Sequence, residues 1–226
     1  MVLELSRRAD DSARATRYVA DGSWKFTDLL IEQYPAAFFY ASGSLVLCFD
    51  RCRFVRWYAP QTLMQTKMYF GTGTATYAWP MGTDGTSIYA EVGSNGMYNV
   101  ASFDGTTAMP LGKVPAQPYG GARALAVDAT KVYVAAMSKL MVVDRVTPGD
   151  AKELIDVTPL HVIEILVDER AVIWFDEGGV HAIAKADAKR VDLASFDNTT
   201  DAVEQVDQNV DYVVWTGRDG LMKLRK

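Results

Sequence analysis

Residues 124–156 read ALAVDATKVYVAAMSKLMVVDRVTPGDAKELID, and residues 163–193 read IEILVDERAVIWFDEGGVHAIAKADAKRVDL. Both stretches contain four short segments in the same order, rich in Val, Ile, Tyr and Trp. Segments of this composition, many of which alternate apolar with polar residues, are typical of strands. Turn-forming residues separate them, as in Asp128-Ala-Thr and Glu177-Gly-Gly. The two stretches therefore predict two successive four-stranded antiparallel sheets.

The second segment of each unit shows the period of the repeat. Val132, Val172 and Tyr212 hold equivalent places 40 residues apart, and Ile88 and Leu45 fit the same place nearer the N-terminus. A four-stranded unit of about 40 residues is the signature of a β-propeller blade. We therefore predict an all-β chain, a five-bladed β-propeller that forms a single domain over residues 1–226. The predicted blades are residues 36–70, 75–114, 122–157, 161–196, and 202–226 together with 15–20.

The N-terminal region is expected to close the ring. The fifth predicted blade has only three strands, and a strand at residues 15–20 would complete it and leave fewer strand edges exposed. Residues 1–14 are polar and charged, which predicts a loosely ordered tail. Thr27 is a candidate cap for a short helix through Glu32, ended before Pro35. The alternative is a larger ring, in which residues 15–20 pair elsewhere.

Two segments carry a family resemblance. Residues 167–174, VDERAVIW, and residues 206–215, VDQNVDYVVW, resemble the blades of bacterial β-propellers of the broad NHL and YncE-like kind. The resemblance covers most of residues 36–226. It implies the fold and carries almost no information on activity. The Gly-His and Trp-Asp dipeptides of WD40 repeats are absent from the sequence.

Composition and charge exclude several classes of function. The net charge is −5 and the pI about 5.1, whereas nucleic-acid binders usually carry a basic face. No apolar run approaches the eighteen residues of a membrane-spanning helix, and the N-terminus lacks the basic-then-apolar order of a signal peptide. We therefore expect neither a nucleic-acid nor a membrane partner. The compartment and the oligomeric state stay open.

The cysteines and the turn aspartates, residue types that commonly bind metals, have other expected roles in this sequence. Cys48 and Cys52 flank a predicted turn, where a disulfide and two free thiols are equally open alternatives. Aspartates recur once per blade at predicted turns, where an Asp side chain accepts backbone N–H groups. None lies in an oxygen-rich run that would wrap calcium. No metal and no cofactor are expected. The turn aspartates are Asp84, Asp128, Asp168 and Asp207.

Two histidines limit the options for catalysis. His181 falls in register with Met141 and Met222, which predicts a packing role. His161 lies in the predicted connection between two successive blades, and it is the single catalytic candidate. No Walker loop, zinc pattern or nucleophile elbow is present. Trp174 and Trp215 close second strands, so we predict that they pack between neighbouring sheets.

The predicted ligand face is the one shared by blade-to-blade connections and by turns between second and third strands. Aromatic rings there stack on sugars or peptide side chains, and polar neighbours supply directed hydrogen bonds. The alternative is that these aromatic residues only cap the ends of the ring. The predicted rim consists of Trp24, Tyr34, Tyr77, Trp79, Tyr119, Arg123, His161, Asn198 and Asp201.

A strong repeat without a catalytic motif favours a non-enzymatic binding or scaffold module that presents a rigid propeller face to a protein partner. A lectin-like, carbohydrate-binding propeller is the first alternative, with a glycan as the ligand. A lyase or hydrolase that uses the propeller face is the second, because one fold hosts many functions.

Overall fold

The computed structural model describes most of the chain, and every regular element in the described part is a β-strand. Its 22 strands form six antiparallel sheets. The all-β prediction is therefore confirmed for these residues. The described residues are 2–7, 13–19, 25–31, 37–41, 44–49, 54–59, 64–70, 77–94, 97–103, 108–115, 124–136, 138–157, 162–196, 203, 205–208, 211–217 and 220–226.

The N-terminal sheet has three strands, β1 (Val2–Arg7), β2 (Ala13–Val19) and β3 (Lys25–Ile31), with β2 in the middle. Tyr18 pairs with Val2 on one side and with Phe26 on the other. Both edges of β2 are thus used within this sheet, so β2 does not complete the last blade as expected. Residues 1–14 hold strand β1 and the start of β2 where a loose tail was expected.

The short helix expected from Thr27 to Glu32 is also replaced by a strand, because β3 extends from Lys25 to Ile31. All seven residues of β3 pair with β2. Cross-strand pairing satisfies the backbone donors and acceptors of both segments, and this tertiary term outweighs a weak local helix preference. A capping residue alone did not reveal that pairing.

Four sheets of four strands follow, each with its strands in sequence order across the sheet. Every neighbouring pair in them is antiparallel, which confirms the predicted sheet type. Their strands are β4 (Ala37–Ala41), β5 (Ser44–Phe49), β6 (Phe54–Ala59), β7 (Met64–Phe70), β8 (Tyr77–Thr83), β9 (Ile88–Ser94), β10 (Met97–Phe103), β11 (Ala108–Val114), β12 (Leu125–Val127), β13 (Lys131–Ala136), β14 (Lys139–Asp144), β15 (Lys152–Asp156), β16 (Val162–Val167), β17 (Ala171–Asp176), β18 (Gly179–Ala184) and β19 (Arg190–Ser195).

The C-terminal sheet has three strands, β20 (Gln205–Gln208), β21 (Tyr212–Gly217) and β22 (Gly220–Arg225). The first strands of successive sheets are neighbours, so β4 contacts β8, β8 contacts β12, β12 contacts β16 and β16 contacts β20. This succession of inner strands is the arrangement of propeller blades around an axis.

The core of the described part lies between the sheets, and the middle strand β13 is buried on both faces. Val132 and Val134 of β13 pack into one apolar cluster with the preceding sheet, while Tyr133 and Ala135 pack into a second cluster with the following sheet. Because side chains alternate across a strand, only a nearly continuous apolar run can fill both clusters. The sequence of β13 therefore encodes its position between two neighbours.

The predicted packing of two tryptophans is confirmed. Trp174 is fully buried in the cluster shared with the preceding sheet, and Trp215 is 7% exposed. The ring of Trp215 meets Phe175 edge-on, with 5.7 Å between ring centroids. Aromatic pairs with this geometry contribute about 0.5–1.5 kcal/mol beyond the burial of their area.

Candidate ligand-binding cleft

The aspartate at the turn after the first strand closes that turn, as the sequence predicted. Asp128 Oδ1 accepts hydrogen bonds from the backbone N–H groups of Thr130 and Lys131, both at 2.8 Å. Asp84 and Asp168 accept the equivalent pairs of N–H groups in their own sheets. Asp207 differs, because its Oδ1 accepts the backbone N–H of the next residue, Gln208, at 2.7 Å. Residues 209 and 210 lie outside the described part.

The second carboxylate oxygen of each aspartate binds a cation from the next sheet. Lys226 Nζ lies 2.8 Å from Asp168 Oδ2, and Lys185 and Arg145 bind Asp128 and Asp84 in the same way. These pairs join residues that are 58, 57 and 61 positions apart. We call them intersheet latches: Asp84–Arg145, Asp128–Lys185 and Asp168–Lys226.

A tyrosine supports two of the three latches. The hydroxyl group of Tyr133 donates to Asp128 Oδ2 at 2.9 Å, and that of Tyr89 donates to Asp84 Oδ2 at 3.1 Å. The guanidinium of Arg145 lies 4.6 Å from the centre of the Tyr89 ring, within the range of a cation–π interaction. The cation of the latch thus contacts both the carboxylate and the ring.

These contacts change the acidity of the latch residues. Burial disfavours the charged form of Asp128, but hydrogen bonds from Lys185 and from the backbone of Thr130 and Lys131 outweigh it and hold the pKa of Asp128 below its ordinary value. The pKa of Asp168 is lowered against burial in the same way, chiefly by Lys226. Charged carboxylates are therefore part of the folded structure.

The larger of two described clefts lies between the sheets β12–β15 and β16–β19, beside the Asp128–Lys185 latch, and has a volume of about 560 Å³. Clefts that bind ligands commonly measure about 300–1,000 Å³ and combine an apolar wall with a few polar groups. This cleft has that character. Its wall includes Val127, Tyr133, Val142, Leu154, Val167, Val172 and Ile183, and its rim carries Asp128, Lys131, Asp168, Glu169 and Lys185.

A smaller cleft of about 370 Å³ adjoins the first. Lys131 and Val142 line both, so the two form one groove along the outer part of the sheet β12–β15. Blades of a propeller pack closely at their inner strands and diverge outwards, which leaves such a groove open. The remaining residues of the smaller cleft are Asp144, Thr147, Pro148, Gly149, Asp150 and Lys152.

His181 is held by two carboxylates. Its Nδ1 lies 2.7 Å from Asp192 Oδ1 and its Nε2 lies 3.1 Å from Asp176 Oδ1. Trp174 stacks on the imidazole with 5.2 Å between ring centroids and donates its indole N–H to Asp176. Burial disfavours the charged imidazole, but the two carboxylates outweigh it and raise the pKa of His181 above its ordinary value.

This arrangement gives His181 a structural role, as its register with Met141 and Met222 predicted. Those two methionines pair with Val134 and Trp215, just as His181 pairs with Trp174. A charged imidazole donates both N–H groups to carboxylates, so it has no free nitrogen to accept a proton from a substrate. The site ties the β17–β18 turn to the outer strand β19.

The predicted aromatic rim falls almost entirely outside the described residues. Tyr77 and Trp79 lie in β8, and only their backbone is described. The other seven are Trp24, Tyr34, Tyr119, Arg123, His161, Asn198 and Asp201, which lie outside the described part. The same holds for Cys52, so the pairing of Cys48 is left open. The rim is therefore still a prediction.

Sequence reasoning missed the latch cations, although a signal was present. Arg145, Lys185 and Lys226 each follow the third strand of their sheet directly, so a basic residue recurs with the period of the repeat. Because the turn aspartates recur with the same period, a pairing between neighbouring units follows from the two patterns together. The cleft had no such signal, since its wall consists of ordinary strand residues.

Neither a candidate metal site nor a membrane-spanning helix is found among the described residues. They contain no cluster of three or more His, Cys, Asp or Glu side chains suited to hold a metal ion. Within the same ranges, no helix is long and apolar enough to cross a membrane.

Comparison with known proteins shows the fold alone. No protein-family model matches the chain, and no curated protein matches it either. Among solved structures, it is similar to a catalytically inactive virginiamycin B lyase from Staphylococcus aureus with quinupristin, a protein of the seven-bladed propeller type. The identity is 10% and the TM-score 0.72, over 98% of this chain and 79% of that one.

Two further structures are similar over nearly the whole chain. A nidogen–laminin complex matches with 11% identity and a TM-score of 0.67, over 99% of this chain and 88% of that one. The extracellular domain of a hybrid two-component system from B. thetaiotaomicron matches with the same identity and TM-score, over 100% of this chain but 32% of that one. These likenesses support a propeller-like arrangement of all-β sheets.

Proposed function

We propose that this protein is a non-enzymatic binding or scaffold module that presents a rigid face to a protein partner. One observation carries the proposal: a groove with an apolar wall and a charged rim lies between sheets that ion pairs join across their boundary. A groove held open in the free protein binds without first being ordered, which lowers the entropic cost of association.

The latches make the face rigid. Lys185 and Asp128 span the boundary beside the groove, and Lys226 and Asp168 span the next boundary along the chain. Their side chains are mostly buried, so water screens these pairs less than it screens a typical surface ion pair. Neighbouring sheets are thereby held in one relative position.

Two alternative functions compete with protein binding. A carbohydrate-binding propeller would use the predicted rim, with Trp79 and Tyr119 stacking on sugar rings. A lyase or hydrolase would use His161, and the likeness to virginiamycin B lyase favours this class only through the fold. We rank protein binding first because the groove has the composition of an interface core with a polar rim.

The blade count and ring closure also belong to the proposal. Five sheets, from β4 to β22, follow the repeat, and we propose that they are the five blades of the ring. In the described part, β22 pairs only with β21. The N-terminal sheet of β1, β2 and β3 is an addition to this count. A high-resolution experimental structure with six equivalent blades would contradict it.

The test of function is a comparison of ligands on the intact protein. The tagged protein is used to capture partners, each candidate is purified, and binary affinity is measured by calorimetry, while a glycan array is screened in parallel. A saturable one-to-one complex with a protein and a silent array support the proposal. Sugar binding that is lost in Trp79→Ala or Tyr119→Ala would contradict the proposal and favour the carbohydrate-binding alternative.

A turnover assay covers the third class. If neither protein nor glycan binds, and a lyase or hydrolase activity is found that His161→Ala abolishes, the binding proposal is wrong. Val191→Ser serves as a control variant for these measurements, because Val191 lies on the exposed outer strand β19 and lines neither cleft.

A further inference from the structure

The C-terminal sheet has three strands in the described part, whereas the four sheets from β4 to β19 have four strands each. In those sheets a fourth strand pairs with the outer edge of the third, as β15 does with β14 and β19 does with β18. The third strand of the C-terminal sheet is β22, and among the described residues it pairs only with β21. The outer edge of β22 is therefore open to a further strand.

The backbone of β22 presents hydrogen-bonding groups along this open edge. The N–H of Lys226 donates to the carbonyl of Asp211 at 2.9 Å, so this cross-strand pair is hydrogen-bonded. Bonded and non-bonded pairs alternate along an antiparallel ladder. Given the register of β21 and β22, the N–H and C=O groups that point away from β21 belong to three alternate residues: Leu221, Lys223 and Arg225.

Leu221 is an exposed apolar residue at a position that is buried in the complete sheets. It is 74% exposed, whereas its counterparts at the second position of β14 and β18, Leu140 and Val180, are 0% exposed. Both counterparts pair with a fourth strand, Leu140 with Ile155 and Val180 with Ala194. The repeat thus places a core-type residue at the open edge.

The open edge is positively charged. Residues 220–226 read GLMKLRK, with three basic residues and no acidic one. Lys226 belongs to its latch, Lys223 lies 3.6 Å from the centre of the Tyr212 ring, and Arg225 takes part in none of the ion pairs found in the described part. Because side chains alternate along a strand, Lys223 and Arg225 share one side of the sheet with Leu221.

This charge disfavours a second copy of β22 as the occupant of the edge. Two copies paired about a two-fold axis centred on Lys223 would place the two lysines opposite each other, and like charges directly opposite destabilise a strand pair. Basic residues on an edge strand oppose pairing between copies in this way. A strand with acidic residues at the facing positions would instead form pairs of opposite charge.

The two fourth strands of the sheets β12–β15 and β16–β19 show what such an occupant looks like. In both β15 and β19 the pairing shifts by one residue at the same place. The extra residue is a leucine, Leu154 or Leu193, and the next residue is apolar, Ile155 or Ala194. All four pack against the apolar cluster beside their sheet. A strand with the same bulge on β22 would place its second apolar residue opposite Leu221.

We infer that the open edge of β22 binds an extended acidic segment of a protein partner as the fourth strand of the C-terminal sheet. The segment runs antiparallel to β22, with acidic residues opposite Arg225 and Lys223 and, after a leucine at the bulge, an apolar residue opposite Leu221. Main-chain hydrogen bonds to the edge supply affinity, and the facing side chains supply specificity. This site lies on a different sheet from the groove, so it goes beyond the proposed function and adds a second contact surface.

The probe is the capped hexapeptide acetyl-Glu-Thr-Glu-Thr-Leu-Val-amide, titrated into the intact protein at low salt. Amide hydrogen exchange followed by NMR should show saturable protection at Leu221, Lys223 and Arg225. The amides of Met222 and Leu224 face β21 and should change little. If the three edge amides are already protected without peptide, or gain no protection with it, the inference is wrong.

Two changes in the peptide separate strand pairing from simple charge attraction. N-methylation of the glutamate opposite Lys223 removes an N–H that donates to the edge, and binding should weaken roughly ten-fold or more although the charge is unchanged. Replacement of both glutamates by lysine should weaken binding at low salt at least several-fold. Equal binding of either modified peptide overturns the inference.

A charge swap in the protein gives the sharper test. The double variant Lys223→Glu/Arg225→Glu is expected to lose the original peptide and to gain the peptide in which lysines replace both glutamates. The matched control is Lys113→Glu/Lys189→Glu, which changes the net charge equally at two exposed positions outside β22 and both clefts. If the swapped pair does not bind, or if the control behaves like the double variant, the inference is wrong.

The variants must be folded for this comparison, and thermal unfolding provides the check. If the glutamate variant unfolds, Lys223→Gln/Arg225→Gln replaces it, and weakening of at least several-fold is still required. Failure of this inference is distinct from failure of the proposed function. A purified partner that binds the Lys223→Glu/Arg225→Glu variant with unchanged affinity overturns the edge assignment and leaves the binding function in place.

Discussion

Lys226 lies 2.8 Å from Asp168 although the two residues belong to different sheets, and its Nζ also lies 2.7 Å from Oε1 of Gln208. The contact arises because Lys226 directly follows the third strand of its sheet and Asp168 directly follows the first strand of the preceding one. In antiparallel sheets these two positions reach the same end. A repeat therefore places an anion and a cation together at three successive boundaries.

The Asp128–Lys185 latch is expected to contribute measurable coupling energy. A double-mutant cycle with Asp128→Asn and Lys185→Met should give about 1 kcal/mol, because the pair is partly buried and hydrogen-bonded. Asp128→Ala should cost about 2–3 kcal/mol, since it also removes the acceptor of two turn N–H groups. Urea unfolding measures both. Glu169→Gln in the next turn is the control, and a coupling indistinguishable from zero contradicts the prediction.

Stability is expected to fall in acid. The folded-state pKa values of Asp84, Asp128 and Asp168 lie below their ordinary values. A lowered pKa contributes stability that is fully present above the unfolded value of about 3.9 and is lost as pH falls through the folded value. The free energy of unfolding should therefore drop below about pH 4. Urea unfolding at several pH values should show a smaller decrease in the free energy of unfolding for Asp128→Asn. The same decrease in this variant as in the original protein would contradict a lowered pKa of Asp128.

His181 has the opposite pH dependence. Its folded-state pKa is raised, so its contribution is fully present below the unfolded value of about 6.5 and is lost as pH rises through the folded value. His181→Met should abolish this alkaline loss, while His161→Gln should keep it. Imidazole NMR titration together with unfolding at several pH values measures it. A pKa of His181 at or below 6.5 would show that burial outweighs the carboxylates.

Gly112 is required by a close approach of two sheets. A Cβ atom there would lie 1.9 Å from the carbonyl oxygen of Gly149, whose N–H donates to the carbonyl of Leu111 at 2.8 Å. Gly112→Ala must displace backbone, and we expect a loss of about 2 kcal/mol or more. Gly85→Ala meets no neighbouring atom and should cost only about 1 kcal/mol, from its positive φ of 84°. Chemical denaturation ranks the two variants, and the reverse order would be evidence against the contact.

Ala188 has a backbone conformation that favours glycine, so here we expect the change from alanine to glycine to be tolerated. Its φ is 55°, a left-handed conformation that costs an alanine about 1 kcal/mol. Ala188→Gly should therefore raise the melting temperature or leave it unchanged. Ala182→Gly, in the middle of β18, should lower it, because glycine in a strand costs backbone entropy. Destabilisation of similar size in both variants would argue against strain at Ala188.

Some features of the candidate site could be predicted from the sequence, and others could not. The packing of Trp174 and the turn role of Asp128 follow from local spacing. Side chains alternate every two residues along a strand, and a turn spans only three or four residues. Lys185 required the comparison of two repeats. The groove depends on how far two sheets diverge at Leu154 and Ile183, which no local pattern contains.

The sequence by itself determined that this chain forms antiparallel sheets of four strands, because alternation at the strand period and turn residues at the repeat period act locally. It also determined that His181 occupies a packing position. Only the tertiary structure decided that β2 pairs with β1 and β3 instead of the last sheet. Strand pairing is a competition between distant edges, and its outcome depends on the whole fold. For the same reason, only the structure joined Asp84 to Arg145 and opened the groove beside Lys131.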